Sequence, residues 1–84
     1  MYLRAFNQMK MTLCEFELLN DEEKAFVAMQ GDFLDVRIEG QYKVALYSHP
    51  GFYTEVFYDG LSNAVVRCRG FTSSRELAAY IRLS

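Results

Sequence analysis

Residues 31–71 read GDFLDVRIEGQYKVALYSHPGFYTEVFYDGLSNAVVRCRGF. Apolar and polar side chains alternate through this stretch in short runs, broken by Gly40-Gln41, Ser48-His49-Pro50-Gly51 and Gly60-Leu61-Ser62-Asn63. Period-two runs bounded by glycine-bearing turns predict β-strands, here over 33–39, 42–47, 52–58 and 64–70. The connections are far shorter than the dozen or more residues a parallel crossover requires. The strands therefore form an antiparallel sheet, most simply a meander.

Upstream of the sheet the apolar period is helical. Thr12-Leu13-Cys14-Glu15 fits a capping box, with the hydroxyl accepting a backbone N–H and the glutamate reaching back to the cap. It predicts a short helix over 13–18. Asn20-Asp21-Glu22-Glu23 repeats the start signal and places acidic groups at the positive helix end. A helix over 21–29 follows, with Ala25, Phe26 and Met29 as its apolar stripe and Gly31 as a left-handed cap. After the strands, Ser73 as N-cap with Glu76 at the third helical position predicts a last helix over 74–82, whose apolar face is Leu77, Tyr80 and Ile81. The expected class is α+β in the order α-α-β-β-β-β-α, a four-stranded antiparallel meander with helices packed on one face.

The chain has 84 residues, 51% of them hydrophobic, and one proline. That is enough apolar material for one core and too little length for two, so residues 1–84 are read as a single domain. Its opening stretch, MYLRAFNQMKM, spaces Leu3, Phe6 and Met9 helically but has neither a cap nor the length to hold a helix alone. Residues 1–11 are expected to be a flexible or partner-ordered arm. A formal net charge of −2 gives no global attraction for nucleic acid or anionic membranes. No apolar run approaches the 18 or so residues of a membrane span, and the N-terminus has no signal-peptide pattern. A cytoplasmic location is the expectation, with Cys14 and Cys68 as buried, reduced thiols.

Alternation divides each strand into two sets. The expected core set is Leu34, Val36 and Ile38, then Tyr42, Val44 and Leu46, then Phe52, Val56 and Tyr58, then Val66 and Cys68. To keep these together, Gly40-Gln41 needs an extra loop residue or a bulge, and the last turn needs an odd loop with Asn63 left-handed. The opposite set holds Phe33, Asp35, Arg37, Lys43, Tyr47, Tyr53, Glu55, Phe57, Arg67 and Arg69. Glu55 should face Arg69, and Phe57 should face Arg67. Aromatic and arginine side chains are enriched at interface hot spots. The candidate partner-binding residues are thus Arg37, Lys43, Tyr47, Tyr53, Glu55, Phe57, Arg67 and Arg69.

Signals for catalysis are weaker. The single histidine, His49, falls in a turn, and the two cysteines lie too far apart for a metal or redox pair. The five glycines punctuate elements rather than form a phosphate loop. No catalytic, cofactor-binding or metal-ligating residue is assigned, and no membrane or small-molecule partner is indicated. The expected function is non-enzymatic protein interaction, either self-association, such as a homodimer, or docking of another protein on the aromatic and arginine face. The alternative is single-stranded nucleic-acid binding on the same face, with arginines on phosphates and Tyr53 or Phe57 as stacking platforms. The stretch from Gly31 to Asp59, followed by NAVVRCRGF and a capped helix, resembles small uncharacterised bacterial proteins that join short N-terminal helices to an antiparallel meander. The resemblance implies this fold and a bacterial origin, and carries no activity.

Overall fold

In the computed structural model residues 11–81 are described; the expected arm therefore lies outside them except for Met11. Helices α1 (Leu13–Glu17) and α2 (Asp21–Met29) precede strands β1 (Asp32–Glu39), β2 (Tyr42–His49), β3 (Phe52–Asp59) and β4 (Val65–Phe71), and a 3-10 helix spans Ser74–Tyr80. The strands form an antiparallel sheet in the order β1-β2-β3-β4, an α+β meander.

Both α-helices begin at reciprocal capping boxes. Glu15 N–H donates to Thr12 Oγ1 and Thr12 N–H to Glu15 Oε1, at 3.1 and 2.9 Å. Asn20 and Glu23 exchange the same pair of bonds at 2.8 and 3.0 Å. The helices pack over β3 and β4, where Phe16, Ala28, Phe52, Val56 and Cys68 form the core. Phe16 is the only buried residue of α1, and its ring tilts against Phe52 with centroids 5.8 Å apart. Cys68 is a buried free thiol, whereas Cys14 is exposed, contrary to expectation for Cys14. Burial pushes the Cys68 thiol up to about 11.

The turns set a register that differs from the expected one. Glu39 pairs with Tyr42 across Gly40-Gln41, where Gly40 has φ +60 and Gln41 does not join it at positive φ. This is the backbone of a two-residue type II′ hairpin, and no extra loop residue enters. The bulge lies instead at Leu34, near the other end of β1. His49 pairs with Phe52 across Pro50-Gly51, with proline at the first corner and Gly51 at φ +89 at the second, as a type II turn requires. Two such tight connections bring Ala45 opposite both Val36 and Val56. Val44 and Leu46 consequently face Phe57 and Glu55, on the surface away from α1 and α2.

Of the expected core set, Phe52, Val56 and Cys68 lie beneath the α-helices with Tyr58 packed beside them. Tyr42, Val44 and Leu46 belong to the opposite face, although Val44 and Leu46 are buried there. Leu34, Val36, Ile38 and Val66 are exposed. Val66 stands out because the register slips between Phe57 and Tyr58, making it the residue without a partner in β3. Asn63 is left-handed as expected, with φ 62, but Gly31 is not. What position 31 demands is space: a Cβ there would lie 2.6 Å from both Ser48 O and His49 Cε1.

The last element departs most. Ser73 Oγ accepts from Arg75 N–H at 3.2 Å and the segment winds as a 3-10 helix with no buried residue. The Glu76 side chain turns to Arg69 rather than back to the cap. Tyr80 reaches Glu55, so this helix lies over the sheet face that α1 and α2 leave open.

Candidate functional site

The expected partner-binding residues are divided between the two faces. Lys43 pairs with Tyr58 and Tyr47 with Thr54, which places both on the α-helix side; the parity error in β2 misassigned them. Phe33, opposite Tyr47 beyond the Leu34 bulge, joins them there, edge-on to Tyr47 at 5.8 Å between centroids. Arg37, Tyr53, Glu55, Phe57, Arg67 and Arg69 share the other face, with Glu55 opposite Arg69 and Phe57 opposite Arg67 as expected.

That shared face is largely closed by its own chain. Glu55 and Phe57 are only 2% and 3% exposed. Glu55 Oε2 accepts from Arg37 Nη2 at 3.2 Å and from the Tyr80 hydroxyl at 2.6 Å, while its Oε1 accepts from Arg69 Nε at 3.1 Å. Arg37 also pairs with Glu39, and Arg69 with Glu76. Burial opposes charge on Arg37, but bonds to Glu39 and Tyr80 and the Glu55 charge outweigh it and hold the guanidinium above its ordinary range. Burial, followed by the bond to Glu55, raises the Tyr80 phenol. Rings complete the layer: Arg67 stacks over Phe57 at 4.3 Å from its centroid, and Arg69 lies over Phe71 at 5.2 Å. Tyr53 stacks on Phe71 at 5.4 Å.

The network is therefore a fastening between sheet and C-terminal helix. Its members Glu76 and Tyr80 went unrecognised in sequence, because Tyr80 read as part of an apolar stripe and no local spacing links it to Glu55.

His49, expected in an exposed turn, extends β2 and is half-buried on the α-helix side. Its Nε2 lies 2.8 Å from the fully buried Thr54 Oγ1, and its ring stacks on Phe52 at 4.8 Å. Burial lowers its pKa, with Asp32 partly opposing. A neutral imidazole favoured by the fold means that the unfolded chain binds more protons, so stability must fall as pH drops through the unfolded value of about 6.5 toward the lower folded one. Urea midpoints measured between pH 7.5 and 5.5 should decline, and His49→Gln should flatten the decline; an unchanged slope in that variant would assign the effect to other groups.

An apolar groove of about 440 Å³ lies along α2, lined by its Glu22, Glu23, Phe26 and Val27 together with Met11 and Leu19. Glu23 is committed to its capping box, so the groove does not gather groups for acid–base work. Among the described residues no helix is long and apolar enough to cross a membrane.

A different surface is open. On β1, Phe33, Leu34, Val36 and Ile38 are exposed by 58, 50, 40 and 69%. The α-helices pack over β3 and β4, so this half of the sheet lies outside their cover. Comparison with known proteins adds no candidate: no protein-family model, curated protein or solved structure matches the chain.

Proposed function

We propose that this chain is a non-enzymatic protein-interaction module that works through strand β1. The observation that carries the reading is the row Phe33, Leu34, Val36 and Ile38, all exposed on one edge strand. Proteins seldom leave a contiguous apolar surface of this kind open unless it serves an interaction. The arginine and aromatic face supports the reading less well than its sequence suggested. There Glu55 neutralises Arg37 and Arg69, and Phe57 is buried. The same two facts count against nucleic-acid binding, which needs cations for phosphates and open rings for bases.

A photo-crosslinking side chain placed at Ile38, compared in cells with one at Leu61, tests this. Leu61 is 97% exposed in the β3–β4 loop and serves as the non-interface control. A discrete protein adduct from position 38 that is absent from position 61 is expected. Identical patterns, or no adduct at either position, would remove the interaction reading.

A further inference from the structure

We infer that the C-terminal 3-10 helix is an autoinhibitory strap, holding in cis the place on the sheet where an acidic, tyrosine-bearing segment of a partner protein docks. The inference is independent of the interaction reading for β1 and concerns the sheet face away from α1 and α2.

The strap is held in a way that lets it lift. None of its residues from Ser74 to Tyr80 is buried, so no side chain of the strap has a closed pocket to leave. Its ties are the Glu76 carboxylate on Arg69 and the Tyr80 hydroxyl on Glu55 Oε2 at 2.6 Å, with the Tyr80 ring 5.4 Å from the Arg37 guanidinium. Its departure strands no charge beneath it. Arg37 keeps Glu39 and Glu55, and Arg69 keeps Glu55 and its seat over Phe71. The ion pairs of the sheet are complete within the sheet, and the strap is added to them. A buried ionic group that loses no essential member avoids the cost of an uncompensated charge.

The occupant follows from the charges. Along 74–81 the strap carries one cation, Arg75, and one carboxylate, Glu76, which cancel. The β4 row beside Glu76 carries Arg67 and Arg69. Arg69 shares Glu55 with Arg37, while Arg67 makes no ion pair among the described residues and lies over the Phe57 ring. A neutral strap therefore under-fills a cationic row. A segment that keeps the carboxylate and the phenol but has an acid in place of Arg75 meets that row with better charge complementarity. The strap prevails while unchallenged, because the two-residue link Thr72-Ser73 between β4 and the helix holds it at high effective concentration.

The probe is a fluorescent peptide of residues 72–81 carrying Arg75→Glu, titrated by anisotropy into the full chain. Glu76→Lys opens the protein's own strap by setting an ammonium against Arg69, at a side chain 40% exposed. That chain should bind the peptide about tenfold or more tightly than the wild-type chain, whose strap competes. A peptide of unaltered sequence should bind more weakly than the acidic one, and adding Arg69→Gln to the Glu76→Lys chain should abolish the gain. Amide exchange reports the fold in parallel: the four strands should keep wild-type protection in Glu76→Lys while residues 74–80 lose theirs.

Equal affinity for the wild-type and Glu76→Lys chains, or no binding to either up to about 1 mM, overturns the strap. A gain that survives Arg69→Gln puts the peptide elsewhere and overturns it as well. Loss of strand protection in Glu76→Lys does the same, since the 3-10 helix would then be part of what holds the sheet. An unaltered peptide that binds as well as the acidic one refutes the acidic occupant.

Discussion

Phe16→Ala should cost about 4 kcal/mol of folding stability, the largest loss expected from any single truncation in this chain. The ring is fully buried, tilts on Phe52 and fills the space above Gly70, where even a Cβ would come within 3.2 Å of its Cδ2. Nothing else from α1 is buried, and a five-residue helix has no stability of its own. The neighbours cannot close the hole, because the sheet beneath is held in register by hydrogen bonds on both sides of β3. A domain of this length holds only about 4–13 kcal/mol in total. Urea unfolding should therefore show a midpoint reduced by a third or more, with α1 lost from the far-ultraviolet signal before the sheet. A change below about 1 kcal/mol would mean that α1 contributes little to the core.

Glu55→Ala is expected to cost about 3 kcal/mol, through a different mechanism. The carboxylate is a three-way acceptor at the centre of one sheet face, for Arg37, Arg69 and Tyr80. Removing one member of a buried ionic group leaves the others desolvated without compensation, which is costlier than never having buried them. Arg37 suffers most: its side chain is 18% exposed, and its Nε is already a buried donor with no partner among the described residues. Tyr80→Phe removes one bond and should cost only about 1 kcal/mol. Denaturation of the two variants side by side gives the ratio; equal losses would mean that the phenol, rather than the carboxylate, holds the assembly.

The elements of this fold were legible because their signals are local. Thr12 with Glu15 and Asn20 with Glu23 start helices by reciprocal bonds within one turn, and glycine-bearing turns delimit the strands. The pairings Glu55–Arg69 and Phe57–Arg67 were equally legible, since the left-handed Asn63 fixes the turn between β3 and β4. The sidedness of β2 was not. Its Val44, Ala45 and Leu46 are all buried, so alternation there carries no inside–outside contrast. The register instead follows from two-residue turns at Gly40-Gln41 and Pro50-Gly51, which a longer-loop reading displaced. Lys43 and Tyr47 consequently changed faces. The closure of the arginine face was illegible for another reason: it depends on Tyr80 finding Glu55 across 25 positions of sequence, a match of chemistry without any spacing rule.

The way the C-terminal 3-10 helix is held has a thermodynamic corollary. It contributes no buried residue of its own and is tied down by Glu76 and Tyr80 through polar bonds. Ionic ties at partly exposed positions weaken with added salt, whereas apolar burial does not. Amide exchange in the terminal helix should therefore accelerate in concentrated chloride while the strands keep their protection. Salt is thus expected to loosen this helix well before it opens the sheet, whose Glu55 ion pairs are more deeply buried.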